Sequence, residues 1–333
     1  MIINVIMLVV SLAMILAAAV VFTNGIEILG HRLKLHQGVV GSILAAVGTA
    51  LPETVIPIIA ILFFTSAEAH QVGIGAIAGA PFMLGTLAFF VTGLAVMIYT
   101  ATGRRTRAIH TDVPTLSRDL TFFLVLYGIA ILTSFVHDFP LVKTTLAIGL
   151  VLGYGVYIWM TIGSEGQAIE DVEILHFNKY LFLPETRPVI IIQIIAALVL
   201  MIWGAHLFVS YTSAVSLKLG IPAMILSIII TPIATELPEK CNSVIWIGKR
   251  KDILAMGNIT GAMVFQSSFP VAFGMAFTPW DLTGIPMVSA LLAFGSAGLV
   301  LAWVRIRKSL NPYILMAGGL FYLAFIGYLM LRR

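Results

Sequence analysis

The 333-residue sequence has few charged residues and a single cysteine. Only 10% of its residues are charged, against about a quarter in an ordinary soluble domain, while 60% are hydrophobic. The lone cysteine, Cys241, excludes an internal disulfide and a cysteine-based metal site. This composition excludes a water-soluble globular domain and predicts an integral membrane protein.

The sequence also lacks the short signatures of nucleotide-driven pumps and of membrane metalloproteases. It contains no G-x-x-x-x-G-K-S/T loop and no H-E-x-x-H string, and its seven histidines show no metal-ligand spacing. The basic residues are spread over short loops, which is typical of topogenic charge rather than of a nucleic-acid surface. We therefore predict no enzymatic activity, no catalytic or cofactor-binding residues, and no nucleotide or nucleic-acid partner. The predicted partners are metal cations and the lipid bilayer, and the oligomeric state stays open.

Apolar runs recur along nearly the whole chain, each near the ~20 residues that a helix needs to cross a hydrocarbon core of about 30 Å. No Lys or Arg precedes the first run, and the run is too long for the apolar part of a signal peptide, so we interpret it as the first span. The runs predict an all-α membrane protein with ten transmembrane helices, at residues 3–29, 37–64, 72–100, 118–136, 141–163, 188–214, 221–247, 254–278, 285–304 and 312–331.

The longest hydrophilic stretch divides these helices five and five. We predict a first transmembrane repeat at 1–163 with helices 1–5, an acidic linker loop at 164–187, and a second repeat at 188–333 with helices 6–10. The odd-numbered loops and their flanks hold 14 Lys and Arg residues, and the opposite side holds 4. The positive-inside rule then predicts cytoplasmic odd loops and both termini outside, in a multi-pass protein of the plasma (cell) membrane. Because each half has five spans, the two repeats are predicted to be inverted.

Two six-residue strings occupy corresponding places in the halves, GTALPE at 48–53 and ATELPE at 234–239. Their carboxylates, Glu53 and Glu239, are 186 residues apart, just over half the length of the chain. A charged side chain at membrane depth costs roughly 2.5 to 3.5 kcal/mol, so a carboxylate in the same context in both halves indicates function. A glycine pair follows each string, Gly75 and Gly79 in the first half, Gly257 and Gly261 in the second. Paired sites in paired halves favour a transporter.

A proline precedes each of these carboxylates, Pro52 before Glu53 and Pro238 before Glu239. A proline inside a span removes a backbone hydrogen bond and kinks or breaks the helix, so we predict broken helices at the bilayer midplane. Carbonyls freed in a buried cavity can coordinate a cation. Two carboxylates together with backbone and threonine oxygens are a ligand set suited to Ca²⁺.

At these strings the chain resembles the calcium/cation antiporter superfamily, which includes the sodium/calcium exchangers. The family pattern in each half is close to G-T-S-x-P-E followed by G-N-x-x-G-S-N-x-x-N or D, and the resemblance covers essentially the whole chain. It implies alternating access, with Glu53 and Glu239 as the central ligands of the transported Ca²⁺. It also implies that Thr49 and Thr235 contribute oxygens.

The chain departs from this pattern at its serine positions. Alanine occupies three of the four, Ala50 and Ala80 in the first half and Ala262 in the second, and Glu236 occupies the fourth, in the second string. Serine oxygens at these places help to hold Na⁺ in the exchangers, so their absence leaves H⁺ beside Na⁺ as a possible counter-ion. A carboxylate without a sodium partner could take up a proton, because burial favours its neutral form.

The second half carries additional polar residues around its carboxylate. Glu236 lies three residues before Glu239, so the two side chains share a helix face, and Lys240 has the favourable i,i+4 spacing from Glu236. We hypothesise that Lys240 neutralises Glu236 and acts as a tethered cation near the position where the exchangers hold sodium; a purely structural ion pair is the alternative. Asn258 and Gln266 are predicted to line the cavity on this side.

These features predict a secondary antiporter that exports Ca²⁺ or a related divalent cation in exchange for Na⁺ or H⁺. The alternative is a cation channel or uniporter that uses the same acidic residues as a selectivity site. Inverted halves with broken helices favour the antiporter, because pores are more often built by symmetric subunits around an axis.

Asn24 and Glu27, near the cytoplasmic end of the first span, are interpreted as interfacial residues.

Overall fold

The computed structural model describes residues 1–32, 45–136, 138–162 and 174–332, without the side chains of residues 31, 45–49, 162, 234 and 237–242. Within these residues the regular secondary structure is helical, and no β-strand is present. Ile109 and Leu310 form one isolated antiparallel bridge. The α-helices are α1 (Ile2–Arg32), α2 (Ala45–Leu62), α3 (Ala67–Met83), α4 (Phe89–Ala101), α5 (Val113–Thr133), α6 (Pro140–Ile162), α7 (His176–Leu181), α8 (Arg187–Leu219), α9 (Ala223–Gly248), α10 (Asp252–Gln266), α11 (Phe269–Phe277), α12 (Ile285–Arg307), α13 (Pro312–Met316) and α14 (Gly318–Leu331).

Eight helical segments of the described residues are long and apolar enough to cross a membrane. They are Ile2–Gly30, Ala67–Ala101, Val113–Val136, Pro140–Thr161, Arg187–Leu219, Asp252–Phe277, Ile285–Arg307 and Pro312–Leu331. Two shorter apolar segments lie within α2 and α9, where the second and seventh spans are predicted. The all-helical membrane class is therefore confirmed, and the prediction of ten spans stays a prediction.

The predicted helix breaks at Pro52 and Pro238 are absent from the described backbone. Helix α2 continues through Pro52, and α9 continues through Pro238. A proline removes only its own N–H bond, and hydroxyls nearby can add hydrogen bonds along the same turns. In α2 the Thr54 hydroxyl donates to the Ala50 carbonyl at 2.8 Å. The prediction of broken helices at these two prolines is therefore wrong.

The helical pattern is interrupted instead in the next predicted span of each half. A π-helix at Leu84–Ala88 separates α3 from α4, and two non-helical residues, Ser267 and Ser268, separate α10 from α11. The Ser296 hydroxyl of α12 donates to the Gly85 carbonyl within the π-helix, which satisfies a backbone group that the changed helix pitch leaves available. Both interruptions follow a helix that carries a glycine pair, α3 in the first half and α10 in the second.

The chain divides into two compact units, and each draws on both predicted halves. The first unit comprises Met1–Gly73 and Gly155–Ala223. Its helices α1 and α8 pack along each other, α2 packs on both, and the short α7 lies against the same pair. Helices α1 and α8, with 31 and 33 residues, are about 46 and 50 Å long, more than the hydrocarbon core requires.

The second unit comprises Ile74–Tyr154 and Met224–Arg333. Here α5 packs against α10 and α12, α4 packs against α13, and the π-helix contacts α10, α12 and α14. Buried residues recur every three or four positions along α5, at Leu116, Leu120, Phe123 and Tyr127, so one apolar face of this helix points into the unit.

Glycines allow α3 to approach α9 closely within the second unit. A Cβ atom at Gly75 would lie 2.8 Å from the Met224 carbonyl oxygen. One at Gly79 would lie 2.6 Å from the Ile228 carbonyl oxygen and 2.8 Å from Pro232. Because the contacts advance in the same direction along both chains, α3 and α9 run parallel. The first glycine pair therefore packs a neighbouring helix directly against the segment that precedes Glu236.

We expect Gly79→Ala to destabilise the protein, because the methyl group would force α3 away from the backbone of α9. The expected loss is about 1–3 kcal/mol, the usual cost of overpacking. Gly149→Ala is the matched control, because no heavy atom lies within 4 Å of the added Cβ there. Thermal unfolding in detergent should show a lower midpoint for Gly79→Ala only. Equal midpoints for the two variants would contradict the close approach.

Candidate functional site

Glu53 lies in α2 of the first unit and is buried, with only 4% of the residue exposed. Its neighbours Ala50 and Thr54 are also buried, and the side chain of Thr49 lies outside the described residues. A carboxylate in such a setting is costly to keep ionised unless a cation, a proton or hydrogen-bond donors compensate it. Its burial agrees with the sequence prediction that Glu53 belongs to a site.

A second buried carboxylate, Glu236, lies in α9 of the second unit with 2% of the residue exposed. Thr235 beside it is also buried, and its hydroxyl donates to the Thr231 carbonyl at 2.9 Å. The hydroxyls of Ser227 and Thr231 are 3.0 Å apart. Hydroxyl oxygens at i, i+4 and i+8 therefore form a polar stripe along α9 that leads to Glu236.

The predicted ligand Glu239 and the predicted coupling residue Lys240 of α9 have described backbone but no described side chains. Their roles stay predictions. Among the described residues, no group of three or more His, Cys, Asp or Glu side chains is arranged to hold a metal ion. Glu53 belongs to the first compact unit and Glu236 to the second.

Helix α10 carries the two predicted amide residues. The Asn258 amide nitrogen lies 3.5 Å from the Ser243 hydroxyl of α9, at the limit of a hydrogen bond. Gln266 is buried at the last turn of α10, and its side-chain oxygen accepts no hydrogen bond from the described residues. The hydroxyls of Ser267 and Ser268 donate to the Val264 carbonyl, so they complete the helix end. Gln266 thus offers a buried oxygen at the helix interruption.

Asp119 is a buried carboxylate that the sequence analysis missed. It lies in α5 with 2% of the residue exposed and accepts a hydrogen bond of 2.8 Å from the Thr260 hydroxyl of α10. Arg118 also donates to it. The signal was present, because an aspartate just inside an apolar span is costly without a role. Asp119 holds α5 against the helix that carries Asn258 and Gln266.

A buried ion pair holds the turn between α9 and α10. The Arg105 guanidinium donates to both oxygens of the Asp252 carboxylate at 2.7 and 2.8 Å, and also to the Ile247 carbonyl at 2.7 Å. The backbone N–H of His110 donates to the same carboxylate. Both ends of the pair are fully enclosed, with 2% and 0% of the side chains exposed. The loop after α4 therefore clamps the end of α9 and the start of α10.

The packed α-helices, the spans and the buried carboxylates define a polytopic membrane protein with acidic groups inside its helical core. The chain belongs to the sodium/calcium exchanger protein family, whose pattern matches residues 3–163 and 189–332. This confirms the resemblance to the calcium/cation antiporters and identifies a family of transporters rather than enzymes.

Two relatives illustrate the match. Inner membrane protein YrbG of Escherichia coli (strain K12) is 22% identical over 328 residues, covering 94% of this chain and 93% of the relative. The putative antiporter CaxA of Alkalimonas amylolytica is 27% identical over 139 residues, covering 41% of this chain and 43% of the relative. The first match extends over nearly the whole length of both proteins.

Solved structures share the fold. The H⁺/Ca²⁺ exchanger CAX superposes with a TM-score of 0.70 at 16% identity, covering 98% of this chain and 86% of that one. The sodium-calcium exchanger NCX_Mj superposes with a TM-score of 0.56 at 18% identity, covering 98% of each chain. At such identities the likeness shows a common architecture.

Because Arg105 and Asp252 are enclosed, removing one charge leaves the other buried without its partner. We expect Asp252→Asn to lower the free energy of unfolding by about 3–5 kcal/mol. The matched control is Glu185→Gln, since Glu185 pairs with Arg32 at 2.9 Å but both side chains are 36% exposed. Exposed pairs contribute about 0–1 kcal/mol. Denaturant unfolding of the purified variants measures both, and a similar small loss in each would refute the clamp.

Proposed function

We propose that this protein is a secondary active antiporter that exports Ca²⁺ or a related divalent cation in exchange for Na⁺ or H⁺ by alternating access. The observation that carries the proposal is the enclosed carboxylate of Glu53, which lies at a motif position of a chain that belongs to the exchanger family throughout. Glu53 and Glu239 are the central cation ligands, and Thr49 and Thr235 supply further oxygens. Hard oxygen ligands of this kind suit Ca²⁺.

The proposal includes ten transmembrane helices in two inverted repeats, 1–163 and 188–333, joined by the linker 164–187. Helices α3 and α9 run parallel in the second unit, as the inverted arrangement requires of the third and seventh spans. The interruptions at Leu84–Ala88 and Ser267–Ser268 fall in the third and eighth predicted spans, which correspond in the two repeats. In this topology both termini lie on the outer side of the cell membrane, opposite the cytoplasm.

In this proposal, residues of the second half of the chain determine which counter-ion is exchanged. Three of the four positions at which the exchangers have serine are alanine here, and two of these alanines, Ala50 and Ala80, are buried. Glu236 adds a buried carboxylate beside the Glu239 position. Because a buried carboxyl group can bind a proton in place of a metal ion, these features favour H⁺ over Na⁺. Lys240 balances the charge of Glu236, and Gln266 and Asn258 complete the site.

Neutralising either central carboxylate should abolish exchange. We expect Glu53→Gln and Glu239→Gln to reduce radiolabelled Ca²⁺ uptake into proteoliposomes by more than about tenfold, because each removes a charged oxygen ligand of the cation. Glu185→Gln, which neutralises an exposed glutamate, is the control and should transport like the wild type. Normal uptake by both site variants would refute the assigned site.

The driving ion can be identified by imposing Na⁺ and H⁺ gradients separately on the same proteoliposomes. We expect Ca²⁺ uptake to follow the H⁺ gradient and to be small without any counter-ion gradient, because an antiporter couples the two movements. A channel or uniporter would conduct Ca²⁺ with no counter-ion gradient. Lys240→Ala should alter the dependence on the driving ion. An unaltered dependence would remove Lys240 from the coupling mechanism.

A further inference from the structure

The segment Ile174–Leu183, which ends the predicted acidic linker, is docked on the first unit through one face. Leu175 is fully buried and forms an apolar cluster with Ile28 of α1 and Ile190 of α8. Phe177 packs against the same cluster. The end of the linker therefore has a fixed position on the α1–α8 pair.

Two buried polar side chains lock this segment in place. The Asn24 amide nitrogen donates to the Ile174 carbonyl, and the Asn24 oxygen accepts from the His176 backbone N–H at 3.0 Å. The Gln193 oxygen accepts from the Phe177 N–H at 2.7 Å, and its nitrogen donates to the Asn24 oxygen at 3.0 Å. Asn24 thus binds the backbone of the linker segment. The sequence analysis interpreted Asn24 only as an interfacial residue.

The docking contacts lie inside the ends of two membrane-spanning helices. Asn24 is eight residues before the end of α1 at Arg32, and Gln193 is six residues after the start of α8 at Arg187. At 1.5 Å per residue these offsets are about 12 and 9 Å along the helix axes. Both helices exceed the hydrocarbon thickness, so we expect contacts at this distance from their ends to lie near the boundary between headgroups and acyl chains.

The opposite face of the segment is apolar and exposed. We define this outer face by the side chains of Ile174, Tyr180, Leu181, Phe182 and Leu183. All five residues are exposed, and Phe182 is 89% exposed. The Asn178 amide donates to the Leu183 carbonyl and holds the turn that presents Phe182. The Lys179 ammonium lies 5.4 Å from the centre of the Tyr180 ring. Adjacent aromatic, aliphatic and basic side chains are the composition of interfacial membrane anchors.

We propose that the outer face of Ile174–Leu183 inserts into the interfacial layer of the lipid bilayer on the side of the odd-numbered loops. Tyr180, Leu181 and Phe182 lie among the outer acyl segments, and Lys179 extends toward the phosphate groups. Charge complementarity supports a lipid partner, because Lys179 lies within the segment and Arg187 lies at the adjacent start of α8. The segment thereby anchors the α1–α8 pair at a fixed depth.

Spin labelling at Phe182 tests this proposal in the full-length protein reconstituted into liposomes. In a Cys241→Ala background that retains transport, a nitroxide is attached to Phe182→Cys, which alters only an exposed side chain. We expect collisions with O₂, which partitions into lipid, to exceed collisions with a water-soluble nickel chelate. Ser309→Cys, an exposed loop residue on the same predicted side, is the control and should show the reverse.

Two outcomes would overturn the anchor. A label at residue 182 that is as accessible to the nickel chelate as the label at 309 would place the outer face in water. Spin–spin broadening at residue 182 that persists on dilution with excess lipid would show that a second copy of the chain covers this face. Neither measurement depends on which ions the protein exchanges, so failure of the anchor is distinguishable from failure of the proposed function.

Discussion

The absence of water from the hydrocarbon core is the constraint on which the rest of this structure depends. Each backbone N–H and carbonyl at that depth needs a partner within the protein, so the chain crosses as helices. Where the helical pattern changes, a side chain supplies the partner, as Ser296 does for the Gly85 carbonyl. Against this background a buried carboxylate, such as Glu53 or Glu236, is costly at that depth, which is why the proposed ion site is placed at these helices.

Three different kinds of contact hold helices α9 and α10 in the second unit. Gly79 allows α3 to touch the backbone of α9, the Asp119–Thr260 hydrogen bond joins α5 to α10, and the Arg105–Asp252 pair secures the turn between α9 and α10. Together they constrain the two helices that carry Glu236 and Gln266. Such contacts are compatible with the proposed alternating-access mechanism, which requires packed groups of helices that move as bodies.

The buried positions of Glu53, Glu236 and Thr235 could be predicted from the sequence, because a polar residue in a long apolar run is visible without knowing its neighbours. The positions at which the helical pattern is interrupted could not be predicted from the sequence. Pro52 and Pro238 signalled breaks in α2 and α9, yet the helices continue, since one missing N–H bond is tolerated when the surrounding turns stay intact. The interruption at Leu84–Ala88 contains no proline. The contact that stabilises it comes from Ser296, which is 211 residues from Gly85 along the chain.

Composition and short local strings were enough to specify the membrane class, the family and the sequence positions of the two motif carboxylates. Which buried polar groups pair with each other depends on the fold. Arg105 meets Asp252 across 147 residues, and Asn24 meets Gln193 across 169. Each pairing arises from the packing of whole helices, which local periodicity does not specify. For the same reason the attachment of Ile174–Leu183 is not visible in the sequence, whereas the fold docks this segment on α1 and α8 and leaves several of its apolar side chains exposed.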